Sequence, residues 1–256
     1  MPQLFWEDKM AMSAEITGIG WVTAAGMGRG REDQHFAMPR GQLPEINPAD
    51  MFKKPYPNFR RMDEYSRLGL TATALALIDA GLSGWTRVRD IGIIASTFYG
   101  CLGTDVDYYQ TVIPDRGAQA SPALFSYTLA NGFLGEAAIR FGLTGINYVI
   151  TEQRPTGLAG LQTALDHINR RGIEKILGGV CDVGCPQIFG QPGKVLPGAV
   201  FFMLEKSVAK EGSSYGQLQL NSSGGLLIDG SAINDLTGLV QKCITRNRSF
   251  LEIDGR

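Results

Sequence analysis

Seven residues between two predicted elements, TEQRPTG from Thr151 to Gly157, bring together the side chains best equipped for chemistry: the Glu152 carboxylate, the Gln153 amide and the Arg154 guanidinium. They lie where a short apolar strand gives way to a long helix. Such an elbow presents free backbone N–H groups and the positive end of the helix dipole, an arrangement that holds nucleophiles and binds anions. This elbow has no cysteine or serine. Covalent acyl transfer needs a thiolate or another activatable nucleophile, and a guanidinium that stays charged cannot supply one. Arg154 suits instead a carboxylate or a phosphate, gripped by its fork of donors, with Glu152 or Asp182 left to act as a base. The plainer alternative is a salt bridge from Arg154 to Glu152 or Asp182 that holds the elbow shut. His35 lies in a polar segment and His167 stands near Asn169 and Arg170, places that suit surface or capping groups better than bases. Cys101, Cys181, Cys185 and Cys243 are few and irregularly spaced, as reduced thiols are. The Cys181–Cys185 pair lacks a second ligand pair, so no metal and no cofactor is expected.

The elements that must position these groups start with the elbow's own flanks. Tyr148, Val149 and Ile150 form the run of a buried strand, and Leu158, Leu161, Leu165 and Ile168 recur at three- and four-residue steps, the period of a helix. Upstream, AEITGIGWVT (Ala14 to Thr23) reads as a first strand. Its G-x-G lacks a well-placed third glycine and acidic residue, which argues against a dinucleotide site. Arg29 to Asn58, with Pro39, Pro44, Pro48, Pro55 and Pro57, reads as loops with one short helix around Arg31 to Met38. Arg60 to Leu82 is a strong helix ended by Gly81, with Tyr65, Leu68, Leu70, Ala74 and Leu77 toward a core. Ile91 to Thr97 is a buried strand, followed by a helix near Thr104 to Val112. Glu174 to Val183, the end of Pro192 to Lys206, and Gly216 to Leu220 supply further strands, and Asp235 to Ile244 is helix-like.

The segment SPALFSYTLANGFLGEAAIRFGLTGINYVI, from Ser121 to Ile150, resembles the β-ketoacyl synthases, the condensing enzymes of fatty-acid and polyketide synthesis. In that family an S-P-x-x-F/V-x-x-T-x-x-N-x-x-x-G segment leads to a G-P-N/S-x-x-x-x-T-A-C-x-x-G elbow. Ser121, Pro122, Thr128, Asn131, Gly135, Gly145 and Gly157 fit without a gap, which puts Arg154 at the nucleophilic cysteine, with Gln153 beside it. ITGIG near the start and RRMDEYSRLGLTA at the long helix also resemble the family. The resemblance implies a thiolase-like half, a mixed five-stranded sheet with helices on both faces, built from strands and helices in alternation with right-handed crossovers. It covers only the first half of a ketosynthase. The family's second half, which brings two histidines, a lysine and a gating loop, has no counterpart within these 256 residues, although SFLEIDGR resembles the strand that runs into the family's H-G-T-G-T motif, with Asp254 at the histidine's place.

The implied role is a non-catalytic ketosynthase-like subunit, similar to a chain length factor, that forms a homodimer or a heterodimer with a full-length ketosynthase and meets an acyl carrier protein. By the same resemblance, strand Asn147, Tyr148, Val149, Ile150, Thr151 is the dimer interface, and Phe125, Thr128 and Phe133 bind substrate by lining an acyl tunnel, core packing being the alternative for these three. An isolated first half is expected to show apolar surface that needs covering. The alternative function is altered acyl-thioester chemistry in which Arg154 binds a carboxylate or phosphate.

Composition fits these readings. The chain has 256 residues, 44% of them hydrophobic, and a net charge of −1, enough length for one large core and too little positive charge for a nucleic-acid footprint. It has no apolar run long enough for a membrane span and no basic-then-apolar leader, so a cytoplasmic setting is expected. Residues 1–13 carry Phe5 and Trp6 but little pattern, and are expected to be an extension to a single domain at 14–256.

Overall fold

The computed structural model describes residues 12–32, 35–52, 54–189, 195–208 and 213–254. In chain order the elements are β1 (Met12–Thr23), β2 (Gly26–Arg29), α1 (Glu64–Asp79), β3 (Gly92–Thr97), α2 (Leu102–Val112), α3 (Pro122–Phe125), α4 (Gly132–Phe141), β4 (Asn147–Thr151), α5 (Ala159–Arg171), β5 (Lys175–Asp182), β6 (Gly198–Glu205), β7 (Gln217–Leu220), β8 (Leu226–Ile228), β9 (Ser231–Ala232) and α6 (Leu236–Asp254).

One sheet runs in the order β4-β3-β5-β6-β1-β7-β8-β9, with β2 hairpinned onto β1. β3 pairs parallel with both β4 and β5, while β6 is antiparallel to β5 and to β1. β4-β3-β5-β6-β1 make up the expected mixed five-stranded unit, and the added strands bring the sheet to nine. Its faces follow from the two-residue repeat of a strand. In β6, Val200, Phe202 and Leu204 point into the core under α5 and α6, and Ala199, Phe201 and Met203 into the core under α1 and α4.

α1 is buried on nearly every side because it lies between the sheet and the outer layer of loop and α4. Its close approach explains the glycines of β1. A Cβ on Gly20 would stand 2.2 Å from the Ala76 nitrogen, and one on Gly18 2.5 Å from the Ala76 oxygen. The G-x-G is therefore a seat for a helix.

Several boundaries differ from the sequence reading. The short helix expected around Arg31 to Met38 does not form among the described residues. Phe36 instead inserts into the core edge-on to Trp21, and Thr23 Oγ1 donates to the Ala37 carbonyl, contacts that hold this stretch open. The strand expected at SFLEIDGR is instead the end of α6 as far as Asp254, since no glycine or proline after Gly238 interrupts the helix there. Met12 and Ser13, counted with the expected extension, belong to β1 and pair with Leu220 and Gln219; the rest of that expectation, residues 1–11, lies outside the described residues.

Exposed apolar side chains are scattered as well as grouped: Trp85 and Val88 lie between α1 and β3, and Ile188 and Phe189 follow β5. Exposed Tyr109, Ile113, Phe125, Leu129 and Ile139 all lie in the crossover from β3 to β4. α5 and α6 turn Leu161, Leu165, Ile168, Leu239, Val240 and Cys243 inward and carry polar residues such as Asp166, Arg170, Gln241 and Lys242 outward. No helix among the described residues is long and apolar enough to cross a membrane.

Candidate functional site

Gly145 and Gly157 bracket one strand–turn–helix unit, as their spacing predicts. Gly145 packs against the Ile91–Gly92 backbone just before β4, and Gly157 takes a left-handed φ of +69° just before α5, a conformation only glycine adopts without strain. β4 stacks its backbone on β3 as far as Thr151, and the Glu152 N–H continues the ladder to the Thr97 carbonyl at 2.7 Å. The chain then turns through Gln153, Arg154, Pro155 and Thr156, all exposed, into the helix.

Glu152 dominates this turn. It is buried, and its carboxylate accepts the N–H groups of Thr156 (3.0 Å), Gly157 (3.0 Å) and Ala159 (3.2 Å) together with the Thr156 hydroxyl (3.3 Å). The N-cap residue of α5 is Leu158, which offers no side-chain acceptor. Glu152 does that work from outside the helix and sets negative charge where the dipole favours it.

Asp182 is likewise buried and held. It accepts from Thr97 Oγ1 (2.9 Å), Phe98 N (2.9 Å) and Tyr99 N (2.8 Å), fixing the turn from β3 toward α2. Burial raises its pKa above the ordinary carboxylate range, and these backbone donors oppose the rise.

The expected salt bridge from Arg154 to Glu152 or Asp182 is therefore not made. Both acids are occupied by backbone donors, Arg154 is exposed, and the ion pairs among the described residues lie elsewhere. A cavity of about 220 Å³ lies inside the elbow, walled by Glu152, Pro155, Thr156, Gly157, Asp182 and, from the start of α6, Leu236. Arg154 is not part of its wall.

The other predicted residues separate. Phe133 is fully buried, edge-on to Tyr65 at 5.5 Å and to Phe201 at 6.0 Å. Phe125 is 61% exposed at the end of α3 and touches Tyr108. Thr128 is half-buried and donates to the Phe125 carbonyl. Asn147 to Thr151 form an edge strand, exposed at both ends and paired with β3 alone. His35 is exposed. His167 is buried about 15 Å along α5 from Gly157, its Nε2 2.6 Å from the Tyr148 hydroxyl and its Nδ1 without a partner. Burial lowers its pKa. Among the described residues no group of three or more His, Cys, Asp or Glu is placed to hold a metal ion.

The elbow between a parallel strand and a sheet-packed helix, on a mixed sheet with helices on both faces, places the protein in the thiolase-like α/β class. Residues 39–194, more than half of the chain, match the family described as beta-ketoacyl synthase, N-terminal domain, and the chain belongs to that family. Solved structures agree on the fold. The ishigamide ketosynthase/chain length factor superposes with a TM-score of 0.63 at 16% identity, covering 80% of this chain and 62% of that one. The type II polyketide synthase complex AntDE:AntF, an acyl-carrier protein with its ketosynthase bound to the hexaketide, gives 0.60 at 17% identity, covering 82% and 62%. The ketosynthase ApeO in complex with its chain length factor ApeC from Xenorhabdus doucetiae gives 0.56 at 18% identity, covering 77% and 80%. The chain thus spans a little under two thirds of the length of the first two. No protein of curated function matches the sequence.

Proposed function

We propose that this chain is a non-catalytic ketosynthase-like subunit of fatty-acid or polyketide synthesis, working in the cytoplasm by pairing with an active ketosynthase in the manner of a chain length factor. The observation that carries the proposal is the elbow. At the position that the resemblance gives to the nucleophile stands an exposed arginine, and the one buried acid beside it is bound to backbone N–H groups. A carboxylate with its lone pairs so engaged makes a poor general base.

The pairing surface is β4. A strand with one neighbour leaves a row of backbone N–H and C=O groups open to another strand. Tyr109, Ile113, Phe125, Leu129 and Ile139 are exposed in the crossover that leads into this strand. A two-fold partner set antiparallel along β4 would cover the open strand edge. Relatives of the same fold are ketosynthase/chain length factor pairs, and one holds an acyl-carrier protein, which supports the same partners for this chain.

The test is incubation with malonyl- and acyl-thioesters, alone and with a full-length ketosynthase from the same genomic neighbourhood. No turnover by the chain alone, and altered product length or yield from the mixture, is expected. Turnover by the isolated chain that disappears in Arg154→Ala would overturn the proposal in favour of an enzyme that grips its substrate through that arginine.

A further inference from the structure

The cavity inside the elbow has a charge character of its own. Met38, Phe98, Val180, Leu196 and Leu236 give it apolar walls. Its charged groups are acids: Glu152 and Asp182, both buried, and Asp235, which caps α6 by accepting from Gly238 N at 2.8 Å; Thr156 and Thr237 are its other polar side chains. No lysine, arginine or histidine among the described residues lines it. The N–H groups of Thr156, Gly157 and Ala159, which would otherwise receive an incoming anion, already donate to Glu152.

We propose that Glu152 is the specificity-determining residue of this cavity: it occupies the elbow's anion-receiving N–H groups from inside, so that the cavity admits an uncharged, largely apolar group and refuses a carboxylate or phosphate. An entering anion would meet two buried carboxylates where the elbow's N–H groups are already engaged, and like charges repel most strongly where water is excluded. A neutral chain rests on the apolar walls and does not displace the donors that hold both buried carboxylates. The inference does not depend on the pairing proposed above, since the cavity and its walls belong to this chain alone.

The test uses two probes of equal chain length, hexan-1-ol and hexanoate, titrated by calorimetry into the whole chain at pH 7, where hexanoate is ionised. Hexanol is expected to bind wild type, with hexanoate weaker by about tenfold or more, the factor that 1.4 kcal/mol supplies. Glu152→Gln should bring the two within about threefold of each other by strengthening hexanoate, since it removes the charge and keeps the shape. Leu236→Trp, which fills the cavity, should abolish both. If Glu152→Gln does not fold, Thr237→Lys brings a cation to the same wall and should favour hexanoate in its place. Equal binding of both probes by wild type, binding of neither, a ratio unmoved by the substitution, or full binding in Leu236→Trp would each overturn the proposal.

Discussion

Replacing Glu152 by alanine isolates the interaction that shapes the elbow. The substitution removes the acceptor for three backbone N–H groups and one hydroxyl at the head of a helix whose own N-cap is leucine. A hydrogen bond to a charged group contributes about 1.5–3 kcal/mol, and loss of a good N-cap costs about 0.5–2 kcal/mol. These describe the same contact in two ways and do not add. Thr156 is exposed, so water takes over part of its share, whereas Gly157 is buried and its N–H is left without a partner. The expected cost is about 3 kcal/mol, which for a chain of this size lowers Tm by roughly 6–12 °C. Thermal unfolding followed by circular dichroism reads the shift, and urea titration at unchanged slope checks that the unfolded state is not the cause. Arg154→Ala is the control. Its side chain makes no ion pair among the described residues, so stability should stay within about 0.5 kcal/mol. A Glu152→Ala protein within about 2 °C of wild type, or an Arg154→Ala protein that loses as much, would refute the capping account and restore the salt bridge.

Phe133→Ala should cost about 3–5 kcal/mol, since it empties a fully buried ring site, while Phe125→Ala should cost under about 1 kcal/mol; denaturant titration of both separates core from surface. Gly20→Ala drives a methyl group to 2.2 Å from the Ala76 nitrogen, so α1 must move off the sheet at a cost of roughly 1–3 kcal/mol or more, seen as lost yield or lowered Tm. Burial holds the folded pKa of His167 below its ordinary value of about 6.5, so on acidification the unfolded chain takes up the proton first. Stability should therefore fall as pH drops through that value, and His167→Phe should flatten the slope in Tm against pH.

The frame of the elbow could be read from residues alone, because an apolar triplet at Tyr148–Ile150 and leucines at helical spacing state strand and helix directly. The role of Glu152 could not. An acid that reaches forward to backbone N–H groups leaves no side-chain partner in the sequence, and its one trace is a helix start at Leu158 without a capping residue. Arg154 drew attention by its charge, but charge does not say which way a side chain points. Phe125 and Phe133 share one motif, yet the turn after α3 sends one to the surface and the other under α1. The β8–β9 hairpin was legible and missed: Asp229-Gly230, with φ of +46° and +77°, is a two-residue turn between short strands. The length of α6 was masked by resemblance, since a family strand was expected where the local residues favour helix.

Pairing along β4 is the claim on which the functional account turns, and sedimentation velocity at micromolar concentration tests it most directly. The chain, alone or mixed with a neighbouring full-length ketosynthase, should run as a two-subunit species. Asn147→Arg with Thr151→Arg, at the two exposed ends of β4, should abolish the pairing of two copies of the chain and leave the fold intact, because antiparallel pairing about Val149 sets each arginine opposite one of the other copy. A wild-type chain that sediments as a monomer in both samples, or a double variant whose copies still pair, would contradict the account.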